Sequence, residues 1–123
     1  NIFPNELIHR RQVAAYYGEL LGDKVKVPVC TEGVHSAWAQ YTIRVKQRHR
    51  IQEILKSNNI PSVVYYPIPL SQQPGYKHYP SVKSGLPVSC LLAKSVLSLP
   101  MHPSLGTDDI ARISSAVLKA IAE

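Results

Sequence analysis

At 123 residues the chain makes one domain with a single modest core. A hydrophobic fraction of 45% against 18% charged residues excludes a disordered chain, and no apolar run is long enough to cross a bilayer or to serve as a leader segment. The net charge of +6 turns attention to anionic partners, but the bases are scattered; the densest group, Arg44, Lys46, Arg48 and Arg50, has no row of aromatics beside it and reads as a solvated helix start.

Residues 1–22 are expected to form a helix. Pro4 suits a first turn, Leu7, Val13, Ala14, Tyr17, Leu20 and Leu21 recur at helical spacing, and Gly22 is the stop. Between Leu7 and Val13 the pattern lapses, which suggests that this end leans on something outside the chain. Residues 25–29 predict a short edge strand, since Pro28 bars a central position. Ser36–Val45 alternates most clearly and predicts the main strand. Ala37, Ala39, Tyr41, Ile43 and Val45 face the core; Trp38, Gln40, Thr42 and Arg44 take the other face.

A helix is predicted over 47–58 with Ile51, Ile54 and Leu55 inward, ended by Asn58 and Asn59. The run from Ser62 then predicts a strand that delivers Tyr65 and Tyr66. It stops there because Pro67 and Pro69 cannot donate to a ladder. A stiff extended loop follows, turning at Ser71, Gln72 and Gln73. Two phenols at a strand end before a rigid loop form a candidate ligand contact. Residues 74–86 are expected to be loop. A helix over Pro87–Val96, a short strand Leu97–Leu99 and a Pro-bounded corner at Met101–Pro103 come next. Thr107 is expected to cap a last helix with Ile110, Ile113, Val117 and Ile121 as its stripe.

This order predicts an α/β chain of the α+β type, with a small, largely antiparallel sheet and helices mainly on one face. The uncovered face invites a partner or second domain.

The chain carries no catalytic set of its own. Its five histidines lack ligand spacing, and no phosphate-cradling glycine motif is present. Lys77 stands in an aromatic loop, which makes it a candidate imine-forming lysine; a solvated loop lysine is the commoner case. Cys30 and Cys90, without redox or metal spacing, are expected to be free thiols in a reducing cytoplasm, a disulfide remaining open. The chain begins with Asn rather than Met and so reads as a processed product or a piece of a longer protein.

Three ordered runs carry a resemblance: SAWAQYTIRV (Ser36–Val45), VVYYPIPLSQQPGY (Val63–Tyr76) and VLSLPMHPSL (Val96–Leu105). Together they resemble the C-terminal domain of the DegT/DnrJ/EryC1/StrS aminotransferases, over nearly the whole chain. These enzymes use pyridoxal 5′-phosphate to place an amino group on a nucleotide-linked keto-sugar. The first and third runs look most like the branch acting on UDP-linked 3-keto-glucuronic acids.

The resemblance implies that 1–22 is a linking helix and 23–123 the small domain. A large domain, absent here, would hold the cofactor and its lysine, and Lys77 is not in that lysine's context. The small domain would supply walls for the sugar. The family's strand-end motif reads His-Tyr-Pro, then Leu-His after two residues. Here Tyr65, Tyr66 and Pro67, then Leu70 and Ser71, occupy those places. Tyr65, Tyr66 and Ser71 are therefore the implied substrate-binding residues, and the loss of both imidazoles removes a charge switch near neutral pH. The resemblance also implies an amino-acid donor, commonly glutamate, a homodimer in the full-length protein, and an isolated chain without transaminase activity. The alternatives are a stand-alone basic nucleic-acid-binding module, or a family subunit kept for regulation rather than catalysis.

Overall fold

The structure, a computed structural model, describes residues 2–122; the first residue of the expected opening helix, Asn1, lies outside them. In chain order the elements are α1 (Phe3–Leu21), β1 (Tyr41–Arg44), α2 (Arg48–Ser57), α3 (Pro87–Ser95), β2 (Val96–Leu99) and α4 (Thr107–Ala122). Two single-turn 3-10 helices, Leu70–Gln72 and Pro74–Tyr76, interrupt the long connection before α3.

The sheet pairs β1 antiparallel to β2, with Tyr41 opposite Leu99 and Ile43 opposite Leu97. Each outer side gains one antiparallel bridge, Lys26 to Arg44 on the β1 side and Val63 to Ser98 on the β2 side. One face of this ladder, Tyr41, Ile43, Val45, Leu97 and Leu99, is buried against α1, α2 and α4. α1 and α2 both pack on α4, whose Ile110, Ile113, Val117 and Ala120 complete the core. On the opposite face the Thr42 and Ser98 hydroxyls share a hydrogen bond of 2.8 Å. The expected architecture of a small antiparallel sheet with helices on one side is the one observed.

Several local expectations are corrected. The strand foreseen over 36–45 is formed only from Tyr41 onward. Trp38 sits at φ 47° and donates its backbone N–H to Ser36 Oγ at 3.0 Å, so the chain turns there. A bulky residue at positive φ breaks strand alternation. Ala37 and Ala39 are consequently exposed, while the Trp38 ring leans on Tyr41 at 5.9 Å, at the margin of the core. The strands expected at 25–29 and from Ser62 shrink to single bridges, each flanked by a proline that ends the ladder.

Gly22 does end α1, but its backbone stays right-handed. Its need for glycine is space, since a Cβ there would come within 2.7 Å of the Gly18 carbonyl oxygen. Thr107 is the first residue of α4 rather than its cap; the Gly106 carbonyl accepts from the Ile110 N–H. Along α3 only Ala93 is buried, and the apolar Val88 and Leu91 of this helix are exposed. Arg48 is also buried rather than solvated, its Nη1 donating to the Ala93 carbonyl.

At the heart of the core the Tyr17 and Tyr41 rings stack with centroids 4.8 Å apart. The Tyr17 hydroxyl donates to the Pro100 carbonyl at 3.0 Å, tying α1 to the corner after β2. Burial pushes the Tyr41 phenol up to about 12. Burial first, then the neighbouring Tyr41 and Asp109, raises Tyr17 as well. An acid whose folded-state pKa is raised holds its proton more tightly when folded. Its stability contribution is whole below the unfolded value near 10 and declines as the pH climbs through the folded value. Stability is therefore expected to fall above pH 10 by about 1.4 kcal/mol per pH unit for each of the two groups. An alkaline titration followed by circular dichroism and phenolate absorbance checks this: both phenols should ionise only as the fold is lost, and phenolate absorbance from Tyr17 and Tyr41 at pH 10 with the fold intact would contradict it.

Candidate functional site

The second run of the sequence, from Val63 to Tyr76, is built as a braced loop. It starts from the sheet, where Val63 and Ser98 exchange backbone hydrogen bonds of 3.1 and 2.8 Å. Val64 keeps one side against the core. The chain then leaves the ladder, and Tyr65 and Tyr66, joined by a cis peptide bond, stand at its exit. Their rings meet edge to face, centroids 6.1 Å apart and planes at 72°. Tyr65 is 42% exposed and Tyr66 75% exposed, so both phenols are available to a ligand.

Pro67 and Pro69 hold the next stretch extended, and Pro69 adopts φ −58°, ψ 147°. The loop then tightens into its two 3-10 turns. Backbone bonds close them: Gln72 N–H to Pro69 O at 2.9 Å, Gln73 N–H to Leu70 O at 3.1 Å and Tyr76 N–H to Gln73 O at 3.0 Å. Ser71 lies exposed within the first turn. The side chains of Tyr65, Tyr66 and Ser71 form no hydrogen bond among the described residues, which leaves their hydroxyls free to donate and accept.

One brace has no sequence signal. Gln72 Nε2 donates to Cys90 Sγ at 3.1 Å, pinning the loop to α3. Arg48 in turn bonds the Ala93 carbonyl of the same helix. The tyrosine loop is thus connected through α3 to the core. Nothing in the spacing of Gln72 and Cys90 announces this pairing. Both Cys30 and Cys90 are free thiols.

Beyond the turns, Tyr76, His78 and Tyr79 form a second exposed aromatic group. Tyr76 and Tyr79 lie 6.0 Å apart, His78 and Tyr79 4.5 Å apart. Lys77 is exposed in this stretch, immediately after the second 3-10 turn. Chemically the arrangement offers hydroxyl groups and aromatic edges on a stiff support. Such a surface can position a polyhydroxylated ligand; it holds no nucleophile and base set in bonding contact.

The other end of the chain also presents apolar side chains. Ile2, Phe3 and Ile8, at the start of α1, are exposed, and the helix's burial begins at Val13. No described helix is long and apolar enough to cross a membrane.

Comparison with known proteins gives a consistent picture. The model of the DegT/DnrJ/EryC1/StrS aminotransferase family matches residues 3–118. The UDP-2-acetamido-2-deoxy-3-oxo-D-glucuronate aminotransferase of Pseudomonas aeruginosa is 39% identical over 117 residues, 94% of this chain and 32% of its own length. The UDP-N-acetyl-3-dehydro-alpha-D-glucosamine 3-aminotransferase of Acidithiobacillus ferrooxidans is 36% identical over 113 residues, 91% of this chain and 30% of its own. Among solved structures, a DegT DnrJ EryC1 StrS aminotransferase from Brucella abortus superposes with a TM-score of 0.95 at 42% identity, over 99% of this chain and 33% of that one. The chain therefore spans about a third of the length of the relatives it matches.

Proposed function

Given that the chain belongs to the DegT/DnrJ/EryC1/StrS aminotransferase family, we propose that it is the small domain of an enzyme that moves an amino group from an amino acid, glutamate, onto a nucleotide-linked keto-sugar. Residues 1–22 serve as the linking helix and 23–123 as the domain that closes on the substrate. The family match over nearly the whole chain carries this reading. The apolar side chains exposed at the start of α1 support it, since a linking helix would cover them against its larger neighbour. A UDP-linked 3-keto-glucuronic acid is the favoured substrate, because the relative that is 39% identical bears that name. The full-length protein acts as a cytoplasmic homodimer in amino-sugar and surface-polysaccharide synthesis.

Tyr65, Tyr66 and Ser71 are the chain's own contribution. Their hydroxyls bond the sugar or its phosphate oxygens, and the Pro67–Pro69 segment holds them in register so that little conformational entropy is lost on binding. The pyridoxal 5′-phosphate of such enzymes supplies an electron sink for amino transfer. The described residues do not fit it. Every lysine of the described residues is exposed, Lys77 on its loop included, so none is enclosed as an imine-forming lysine, and the hollow beside Trp38 is lined without any lysine, arginine or carboxylate. The cofactor is assigned to the absent large domain, and the 123-residue chain alone is expected to show no turnover.

The test is the full-length protein assayed with glutamate and the keto-sugar nucleotide. Tyr66→Phe is expected to raise KM for the sugar nucleotide roughly tenfold, with kcat and the circular dichroism spectrum little changed, as fits the loss of one hydrogen bond worth ~1.4 kcal/mol. An unchanged KM would remove Tyr66 from the site. A second reading, a family subunit without catalysis, is favoured by Tyr65 and Ser71 standing where the family has histidines. A 41% identical relative from Geobacillus stearothermophilus is named a pleiotropic regulatory protein. Absence of turnover by the full-length protein, folded and loaded with cofactor, would establish that reading instead.

A further inference from the structure

The basic residues that look scattered along the sequence converge in space. A groove of about 850 Å³ lies at the Arg44 end of the sheet, within the size range of small-ligand sites. Its rim carries Lys24, Lys26, Arg44, Lys46 and Lys94. Five of the chain's 14 lysines and arginines are thus gathered at one hollow, and among the described residues Asp23 is the one carboxylate in its lining. None of the five makes an ion pair among the described residues.

Backbone geometry fixes this cluster. The Arg44 N–H donates to the Lys26 carbonyl at 2.9 Å, and the Val45 N–H donates to the Ser95 carbonyl at 2.9 Å. These two bonds lock the 24–26 segment, the end of β1 and the end of α3 around the hollow. Arg48, next to the lining residue Gln47 and bonded to the carbonyl of Ala93, adds a buried positive charge beside it. Five like charges held together against one carboxylate repel, and a bound multivalent anion relieves that repulsion. The floor is apolar, with Val45, Ile51 and Ala120 buried. No aromatic ring lines the groove, so it offers a base nothing to stack on, unlike the surfaces that bind single-stranded nucleic acid.

We propose that this groove is a binding site for a small multivalent phosphate anion, recognised through a diphosphate group by Lys26, Arg44, Lys46 and Lys94. It is separate from the tyrosine loop, since Tyr65, Tyr66 and Ser71 contribute nothing to its lining. It therefore stands whether or not the loop contacts a sugar.

The experiment uses the 123-residue chain and inorganic pyrophosphate as probe. Calorimetry should detect saturable binding at constant ionic strength. Acetylation footprinting should show Lys26, Lys46 and Lys94 protected while Lys77 and Lys83 react as before. Uridine diphosphate should displace pyrophosphate with similar affinity, because the diphosphate is the recognised part and the base gains no stacking. The triple variant Lys26→Gln, Lys46→Gln, Lys94→Gln should lose about tenfold or more in affinity. A control of equal charge change, Arg11→Gln, Lys77→Gln, Lys83→Gln, should bind as the parent chain does. Equal losses in the two triple variants would reduce the effect to net charge and overturn the proposal. Absence of binding, uniform footprinting or failure of uridine diphosphate to compete would overturn it as well. The footprint on the unaltered chain decides the matter even if a variant fails to fold.

Discussion

Replacing Tyr17 by alanine is expected to destabilise the chain by about 3–5 kcal/mol, the range for emptying a large aromatic from a core. Three losses coincide at this residue. Its ring, 0% exposed, leaves a cavity between α1 and the sheet. Tyr41 loses the ring it stacks on at 4.8 Å, and the Pro100 carbonyl loses its 3.0 Å donor. Because domains are stable by only ~5–15 kcal/mol in total, the midpoint of thermal unfolding should drop by roughly 10–20 °C. Tyr17→Phe separates the terms. It keeps the ring and removes only the hydroxyl, so its cost should be about 1 kcal/mol. Thermal unfolding of the two variants checks both numbers. A Tyr17→Ala chain within about 1 kcal/mol of the parent would mean that α1 is not packed as described.

Leu97→Ala is expected to cost about 2–5 kcal/mol, measured by urea unfolding. Leu97 is 0% exposed and stands opposite Ile43 at the centre of the ladder. β2 lies between β1 and the Val63 bridge, so its core-facing side chain is covered from every side and the cavity cannot collapse easily. The effect should reach the candidate site. The loop that carries Tyr65 and Tyr66 leaves the sheet from Val63, which is bonded to Ser98, the next residue after Leu97. Leu91→Ala makes the contrast. That leucine is 53% exposed on α3, and its removal should cost less than about 1 kcal/mol. Equal costs at the two positions would show that the exposed side of α3 is covered in solution.

The candidate tyrosine site is legible for a local reason. Two prolines two residues apart, Pro67 and Pro69, dictate an extended stretch after the Val63 bridge. Tyr65 and Tyr66 are therefore placed where the chain leaves the sheet at the Val63 bridge, and the three ordered runs tie that loop to a family. The Gln72–Cys90 brace is not legible, because a glutamine eighteen residues from a cysteine has no periodic relation to it. The phosphate groove is hidden for the same reason. Lys24, Lys26, Arg44, Lys46 and Lys94 come from three separate segments, and only antiparallel pairing and the packing of α3 bring them to one hollow. The basic run 44–50, which looks like one solvated group, divides in space: Arg44 and Lys46 line the groove while Arg48 is buried under α3.

By itself the sequence determined α1, α2 and α4, because an apolar stripe at helical spacing is a property of neighbouring residues. It likewise determined which residues of β1 face inward, since strand alternation has a period of two. The tertiary structure alone decided where pairing ends and what covers each face. Alternation runs back to Ser36, yet the turn at Trp38 leaves only four residues in the strand. Val88 and Leu91 keep helical spacing, yet α3 lies outside the layer of α1, α2 and α4 and leaves them exposed. Periodicity names the face a residue takes; burial and electrostatic clustering depend on what the rest of the chain brings against that face, a non-local term that spacing does not contain.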